Sequence, residues 1–154
     1  MRISFDLDDT LICRDPKVPC ERDILVSLLR FLFPEPLRLG SVALIKQLSE
    51  RGCRIWIYTS SGRSPRYIKL WLSLYGIKLE GVVNYKLHQR AIEAGLSPKT
   101  VSKYPPAFGI KLHIDDSEGV KLEGEKHGFT VLQVQPDDHN WTTIVLEKVE
   151  KLIK

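Results

Sequence analysis

Three short apolar runs in this chain each end in a cluster of oxygen-bearing side chains. Arg2-Ile3-Ser4-Phe5 runs into Asp6-Leu7-Asp8-Asp9-Thr10, Arg54-Ile55-Trp56-Ile57-Tyr58 into Thr59-Ser60-Ser61, and Lys111-Leu112-His113-Ile114 into Asp115-Asp116-Ser117. Short apolar runs separated by amphipathic segments are the pattern of parallel strands buried on both faces, with helices as the connections. In an open sheet of that kind every strand delivers its carboxyl end to the same edge, which is where ligands bind. Two carboxylate clusters brought to one edge repel each other, so the arrangement calls for a cation.

Two further strands, Gly81–Asn84 and Phe129–Val134, complete the set. Helical spacing of Ile24, Leu25, Leu28, Leu29 and Leu32 predicts a helix over Glu21–Phe33, stopped by Pro34 and Pro36. A second helix is expected over Gly40–Arg51, with Leu44, Ile45 and Leu48 inward and Gly52 as its terminator. Ser64-Pro65 reads as a cap followed by proline at the first helical position, opening a helix that runs to Gly76. Helices over Leu87–Ala94 and Ser117–His127, and a terminal one capped by Asn140, follow. The expected fold is α/β: a three-layer sandwich around a mostly parallel, five-stranded, Rossmann-like sheet, in one domain spanning residues 1–154. Residues 12–39 form a proline-punctuated insert, read either as a small flap beside the site or as a plain crossover connection.

The formal charge of +4 comes from scattered lysines and arginines. It permits an anionic substrate, and nucleic acid is not indicated. No apolar run approaches the roughly 20 residues needed to span a bilayer. The start does not resemble a signal peptide, because an acid appears at Asp6 and no small-residue cleavage site follows an apolar stretch. Cys13, Cys20 and Cys53 have no metal-ligand spacing and read as reduced thiols. A cytoplasmic protein without a membrane partner is the expectation.

Asp6 and Asp8 lie two apart, so an extended chain puts them on one face while Asp9 points away. Neighbouring carboxylates suit a two-role chemistry in which one attacks and the other moves a proton. Asp115 and Asp116 supply the opposite side of a hard-cation site, and carboxylate-plus-water coordination favours Mg2+. Thr59 offers a hydroxyl to a phosphoryl oxygen, and a lysine would neutralise charge as bonds change. Thr59, Ser60, Arg63 and Lys103 are the candidates for holding a phosphorylated group. Arg66 reads as solvated, His113 as a packed or edge residue, and Trp56 and Trp71 as core or sheet-facing. Singly, Asp or Thr after a strand is as well explained as a helix cap, and Ser117 is better read as one. The conjunction of three such strand ends is not a capping pattern.

Taken together, Ile3 to Leu11, Tyr58-Thr59-Ser60 and Ile114-Asp115-Asp116-Ser117 resemble the first, second and fourth motifs of the haloacid dehalogenase superfamily of phosphotransferases. The resemblance runs from Arg2 to about Val134. It implies that Asp6 is a nucleophile forming an aspartyl-phosphate. Asp8 would protonate the leaving oxygen and later take a proton from water, its backbone carbonyl reaching the metal. Thr59 would bind the phosphoryl group and Asp116 would ligate Mg2+, with Asp115 acting through water or holding the site in position. Members with both acids are mostly phosphatases. Two departures stand out: Asp9 occupies a position commonly glycine, and the third-motif lysine is either Lys103, before Tyr104-Pro105 and preferred, or Lys86.

The expectation is a Mg2+-dependent phosphomonoester hydrolase with a minimal cap. Its open site suits a macromolecular phosphate end, or a small molecule enclosed by a second copy of the chain in a homo-oligomer. A phosphoryl-receiver module and a non-catalytic interaction protein of the same fold are the alternatives. Receivers place the acceptor after a later, inner strand, and a scaffold gives no reason for buried carboxylates.

Overall fold

Five parallel strands form one sheet in the computed structural model, which describes residues 1–22 and 27–153. They are β1 (Arg2–Phe5), β2 (Arg54–Tyr58), β3 (Gly81–Val83), β4 (Leu112–Asp115) and β5 (Val131–Gln133), in the order β3-β2-β1-β4-β5. The helices are α1 (Ser27–Leu32), α2 (Ser41–Glu50), α3 (Pro65–Leu74), α4 (Tyr85–Glu93), α5 (Glu118–His127) and α6 (Trp141–Ile153), with a 3-10 turn over Pro105–Phe108. The chain steps outward from β1 to β3, then crosses back to β4 on the other side of β1. Right-handed crossovers therefore send α2 and α3 to one face of the sheet and α5 to the other. The chain's direction across the sheet reverses between β1 and β4, the place where open sheets of this kind bind ligands, outside the carboxyl ends of the strands.

The two faces differ in chemistry. Ile3, Phe5, Ile55, Ile57, Leu112 and Ile114 join Leu44, Leu48, Ile68, Trp71, Val145 and Val149 in one buried apolar core. Alternation puts Ser4, Trp56, Tyr58, His113 and Asp115 on the opposite face. There Ser4 sits between Trp56 and His113 in register. A parallel sheet is usually apolar on both sides; here the second face carries a buried polar network.

Helix starts follow the capping chemistry. Ser64 Oγ accepts from the N–H of Tyr67, and Ser117 Oγ from that of Val120. Asn84, expected as the last residue of a strand, instead accepts the Leu87 N–H through Oδ1, so α4 begins at Tyr85. A short amide side chain satisfies an orphan helix donor better than it fills a ladder position. In the insert, the expected helix is seen as α1, while Ile24 and Leu25 lie outside the described residues. A Cys20–Arg38 bridge closes the insert's base. Arg38, fully buried, donates to the carbonyls of Thr10, Gln135 and Asp138 and lies over the Trp141 ring at 4.6 Å. It fastens the end of the insert to the loops after β1 and β5. Among the described residues no helix is long and apolar enough to cross a membrane.

Candidate active site

The ladder between β1 and β4 continues one residue past the strand, where the Asp6 N–H donates to Ile114 O at 2.9 Å. The chain then coils. Leu7 O accepts from the N–H groups of Thr10, Leu11 and Ile12. Asp9 adopts φ 59°, a left-handed conformation favoured by glycine and tolerated by aspartate. This is the position where the motif that the segment resembles commonly has glycine. The coil corrects the expectation that Asp6 and Asp8 share an extended face. Extended geometry ends at Phe5, and the two carboxylates take different partners.

Asp6 faces Lys103, whose Nζ lies 2.7 Å from Asp6 Oδ1 and 2.6 Å from Asp115 Oδ2. All three side chains are at least nine-tenths buried. Burial lifts the Asp6 carboxyl to about 6, with Lys103 opposing the rise and Asp115 adding to it. For Asp115 burial acts the same way, but His113 and Lys103 outweigh it and hold the carboxyl well below the usual range. Burial disfavours the Lys103 ammonium, yet the two aspartates outweigh that and raise its pKa. Lys103 thus stays charged. Lys86, the alternative third-motif lysine, is exposed on α4.

Asp6, Asp115 and Asp116 each offer a carboxylate oxygen within 4.8 Å of the others. Burial, then the Asp115 charge, raises the pKa of Asp116. Three carboxylates facing one ammonium leave two negative charges to neutralise, and the donors are all hard oxygens. This set fits Mg2+. Asp115 is the least available ligand, because Oδ2 accepts from Lys103 and His113, and Oδ1 accepts from the Ser117 N–H. Asp8 contributes no carboxylate to the cluster.

Thr59 is buried at the end of β2, where its N–H donates to Val83 O and its Oγ1 accepts from the Ser61 N–H. That bond leaves the hydroxyl proton available to an incoming oxygen. Ser60 is exposed on the same loop. Arg63 does not stand open to solvent as a free cation. Nη1 and Nη2 grip Asp8 at 2.7 and 2.9 Å, and Nε donates to Glu35 of the insert at 2.6 Å. Tyr67 on α3 donates to the other Glu35 oxygen. Hydrogen bonding from Arg63, against a smaller desolvation effect, lowers the Asp8 pKa.

Sequence reasoning passed over the groups beneath these residues. His113 lies on an interior strand, not an edge. It bridges Ser4 Oγ through Nδ1 and Asp115 Oδ2 through Nε2, each at 2.8 Å. Tyr58 and His88 form a second link: the Tyr58 hydroxyl is 2.6 Å from His88 Nδ1, and His88 Nε2 is 3.1 Å from Val101 O. The Tyr104 N–H also donates to the Tyr58 hydroxyl. Val101 and Tyr104 flank Lys103, so this pair fixes the loop that presents the ammonium. The available signal was polarity inside apolar strands, at Ser4 and His113.

No protein-family model matches the chain, and no curated protein matches it. Solved structures do. A chain of the Pnkp1/Rnl/Hen1 RNA repair complex superposes in two structures, each with a TM-score of 0.52 at 15% identity. These alignments cover 86% of the present chain but 45% and 42% of those chains, so it spans less than half their length. A predicted HAD-like family hydrolase from Porphyromonas gingivalis matches with a TM-score of 0.50 and 13% identity, covering 99% of this chain and 97% of that one. These likenesses, all at 15% identity or less, show a shared fold: the five-stranded parallel α/β sheet of this chain is like that of the predicted HAD-like family hydrolase.

Proposed function

We propose that the chain hydrolyses phosphomonoesters through an aspartyl-phosphate on Asp6. The observation that supports this most is the convergence of Asp6, Lys103 and Asp116 from three separate segments into one mostly buried, cation-demanding cluster. An Asp6 oxygen attacks phosphorus and the ester oxygen leaves, taking a proton from Asp8, which must first leave Arg63 and gain that proton from solvent. Water then attacks the same phosphorus, Asp8 accepts its proton, and inorganic phosphate departs. The Thr59 hydroxyl donates to a phosphoryl oxygen, and Lys103 offsets the charge that moves between Asp6 and the phosphoryl group. Asp6 and Asp116, with Asp115 supporting, would hold Mg2+, which would add neutralisation of the phosphoryl oxygens.

A panel of phosphorylated sugars, nucleotides, peptides and nucleic-acid ends, assayed with Mg2+, tests the reading. RNA ends belong in it because one chain of this fold sits in an RNA repair complex. Asp6→Asn is the control and should abolish turnover while keeping the fold. Absence of turnover on every class counts against the proposal. One observation favours a receiver-like reading: Arg63 occupies both oxygens of Asp8. If that grip persists, the aspartyl-phosphate lacks a base for its hydrolysis, and a phosphorylated protein stable for minutes would be isolated instead of turnover.

A further inference from the structure

Arg63 is built as a receptor for an anion, and the anion it now holds is one that the reaction needs elsewhere. Its backbone is fixed, because Asn84 Nδ2 donates to Arg63 O at 3.0 Å. Its guanidinium is oriented from behind by Glu35, whose side chain is 13% exposed and is itself held by Tyr67. The outward fork meets Asp8 through two parallel bonds, the geometry guanidinium makes with any pair of anionic oxygens. Asp8 is the replaceable partner, at 41% exposed against 13% for Glu35. Arg14 Nη2 lies 3.8 Å from Asp8 and 3.9 Å from Glu35, on a side chain that is 66% exposed.

Two arginines therefore face two carboxylates at the rim of the pocket. When Asp8 turns to the scissile ester, both of its oxygens must leave Arg63. The rim then holds two guanidinium groups against Glu35 alone, with one positive charge uncompensated. A second anionic group on the substrate would restore the balance and occupy the vacated fork.

We propose that Arg63, with Arg14 beside it, binds a second anionic group of the substrate, so that the preferred phosphomonoesters carry another phosphate or a carboxylate near the scissile phosphate. This rests on the phosphomonoesterase reading for the role of Asp8. Substrate binding and release of Asp8 then become one event: the incoming anion takes the guanidinium and frees the carboxylate. A phosphate ester with a neutral leaving group leaves Asp8 where it is.

Binding of unreactive phosphonates, measured by calorimetry, tests this without turnover. Alkylphosphonates are compared with carboxyalkylphosphonates and alkylbisphosphonates of matching chain length. The wild-type protein should bind at least one doubly anionic series about tenfold or more tightly than its alkyl counterpart, and the arm that wins distinguishes carboxylate from phosphate. Arg63→Gln should bring that ratio close to one, and Arg63→Lys should keep part of it because charge remains without the fork. Asp8→Asn should raise the ratio, since the intramolecular competitor has lost its charge. Equal binding of the two series by wild type, or a ratio unchanged in Arg63→Gln, overturns the inference. A ratio that behaves as expected in a protein that hydrolyses no phosphomonoester upholds the anion receptor and overturns the phosphatase reading instead.

Discussion

Lys103 Nζ stands 2.7 Å from Asp6 Oδ1 and shares its charge with Asp115 on the other side. Removing that ammonium leaves two buried carboxylates without a counter-ion. Lys103→Met should therefore destabilise the metal-free protein by on the order of 3 kcal/mol, the usual consequence of breaking a buried pair. Mg2+ should recover part of the loss. Denaturant midpoints with and without Mg2+ read both effects, and a midpoint unchanged from wild type would show that the pair carries no structural weight.

The pH dependence of stability isolates Asp6. Its folded-state pKa is raised from the ordinary 3.8 to about 6, so between those values the folded chain holds a proton that the unfolded chain has lost. Stability from this group therefore falls as pH rises through that interval. His113 and Asp115, both lowered, act with the opposite sign, losing stability as pH falls. The useful quantity is thus the difference between wild type and Asp6→Asn in chelator. Relative to the variant, wild type should lose on the order of 2–3 kcal/mol between about pH 4 and pH 7. Parallel stability curves for the two proteins would contradict the raised pKa.

What could be read from the sequence followed from short-range rules. Short apolar runs at β1, β2 and β4, set between amphipathic segments, pointed to the strands and hence to the edge at which Asp6, Thr59 and Asp115 emerge. Ser64 and Ser117 were legible as caps because a cap is decided within three residues. Lys103 was harder, since its place depends on a loop held by Tyr58 and His88. No local pattern announces that Val101 O and the Tyr104 N–H find partners on β2 and α4. The pairing of Arg63 with Asp8 and Glu35 was illegible for a different reason. It depends on where a proline-broken insert comes to rest, and on the Asp9 coil that turns the chain after Asp6.

Asp116 has a different character from its neighbours. Its closest side-chain partner is the Thr10 hydroxyl, at a long 3.4 Å, and burial beside Asp115 raises its pKa. Asp116→Asn should leave metal-free stability unchanged or slightly improved, because a carboxylate facing like charge has been removed. Stabilisation by Mg2+ should be lost. Thermal melts across a Mg2+ titration measure this directly; a variant that Mg2+ stabilises as strongly as wild type would exclude Asp116 from the metal site.

The Tyr58–His88 link makes a prediction about rate rather than binding. His88 donates from Nε2 to Val101 O, which leaves Nδ1 to accept the Tyr58 proton, and the Tyr58 oxygen in turn accepts from the Tyr104 N–H. Every group in this buried chain is satisfied, so Tyr58→Phe orphans His88 Nδ1 and the Tyr104 N–H together. The cost should be roughly 1–3 kcal/mol of stability, in line with a buried polar group left unpaired. If the link's purpose is to aim Lys103 at Asp6, kcat should fall about tenfold or more with KM little changed, because misplacing the ammonium weakens charge stabilisation in the transition state more than ground-state binding. Ile110, Val83 and Phe108 pack around the Tyr58 ring and would still hold the phenyl group in place. A variant that loses stability while keeping full kcat would assign Tyr58 to folding alone.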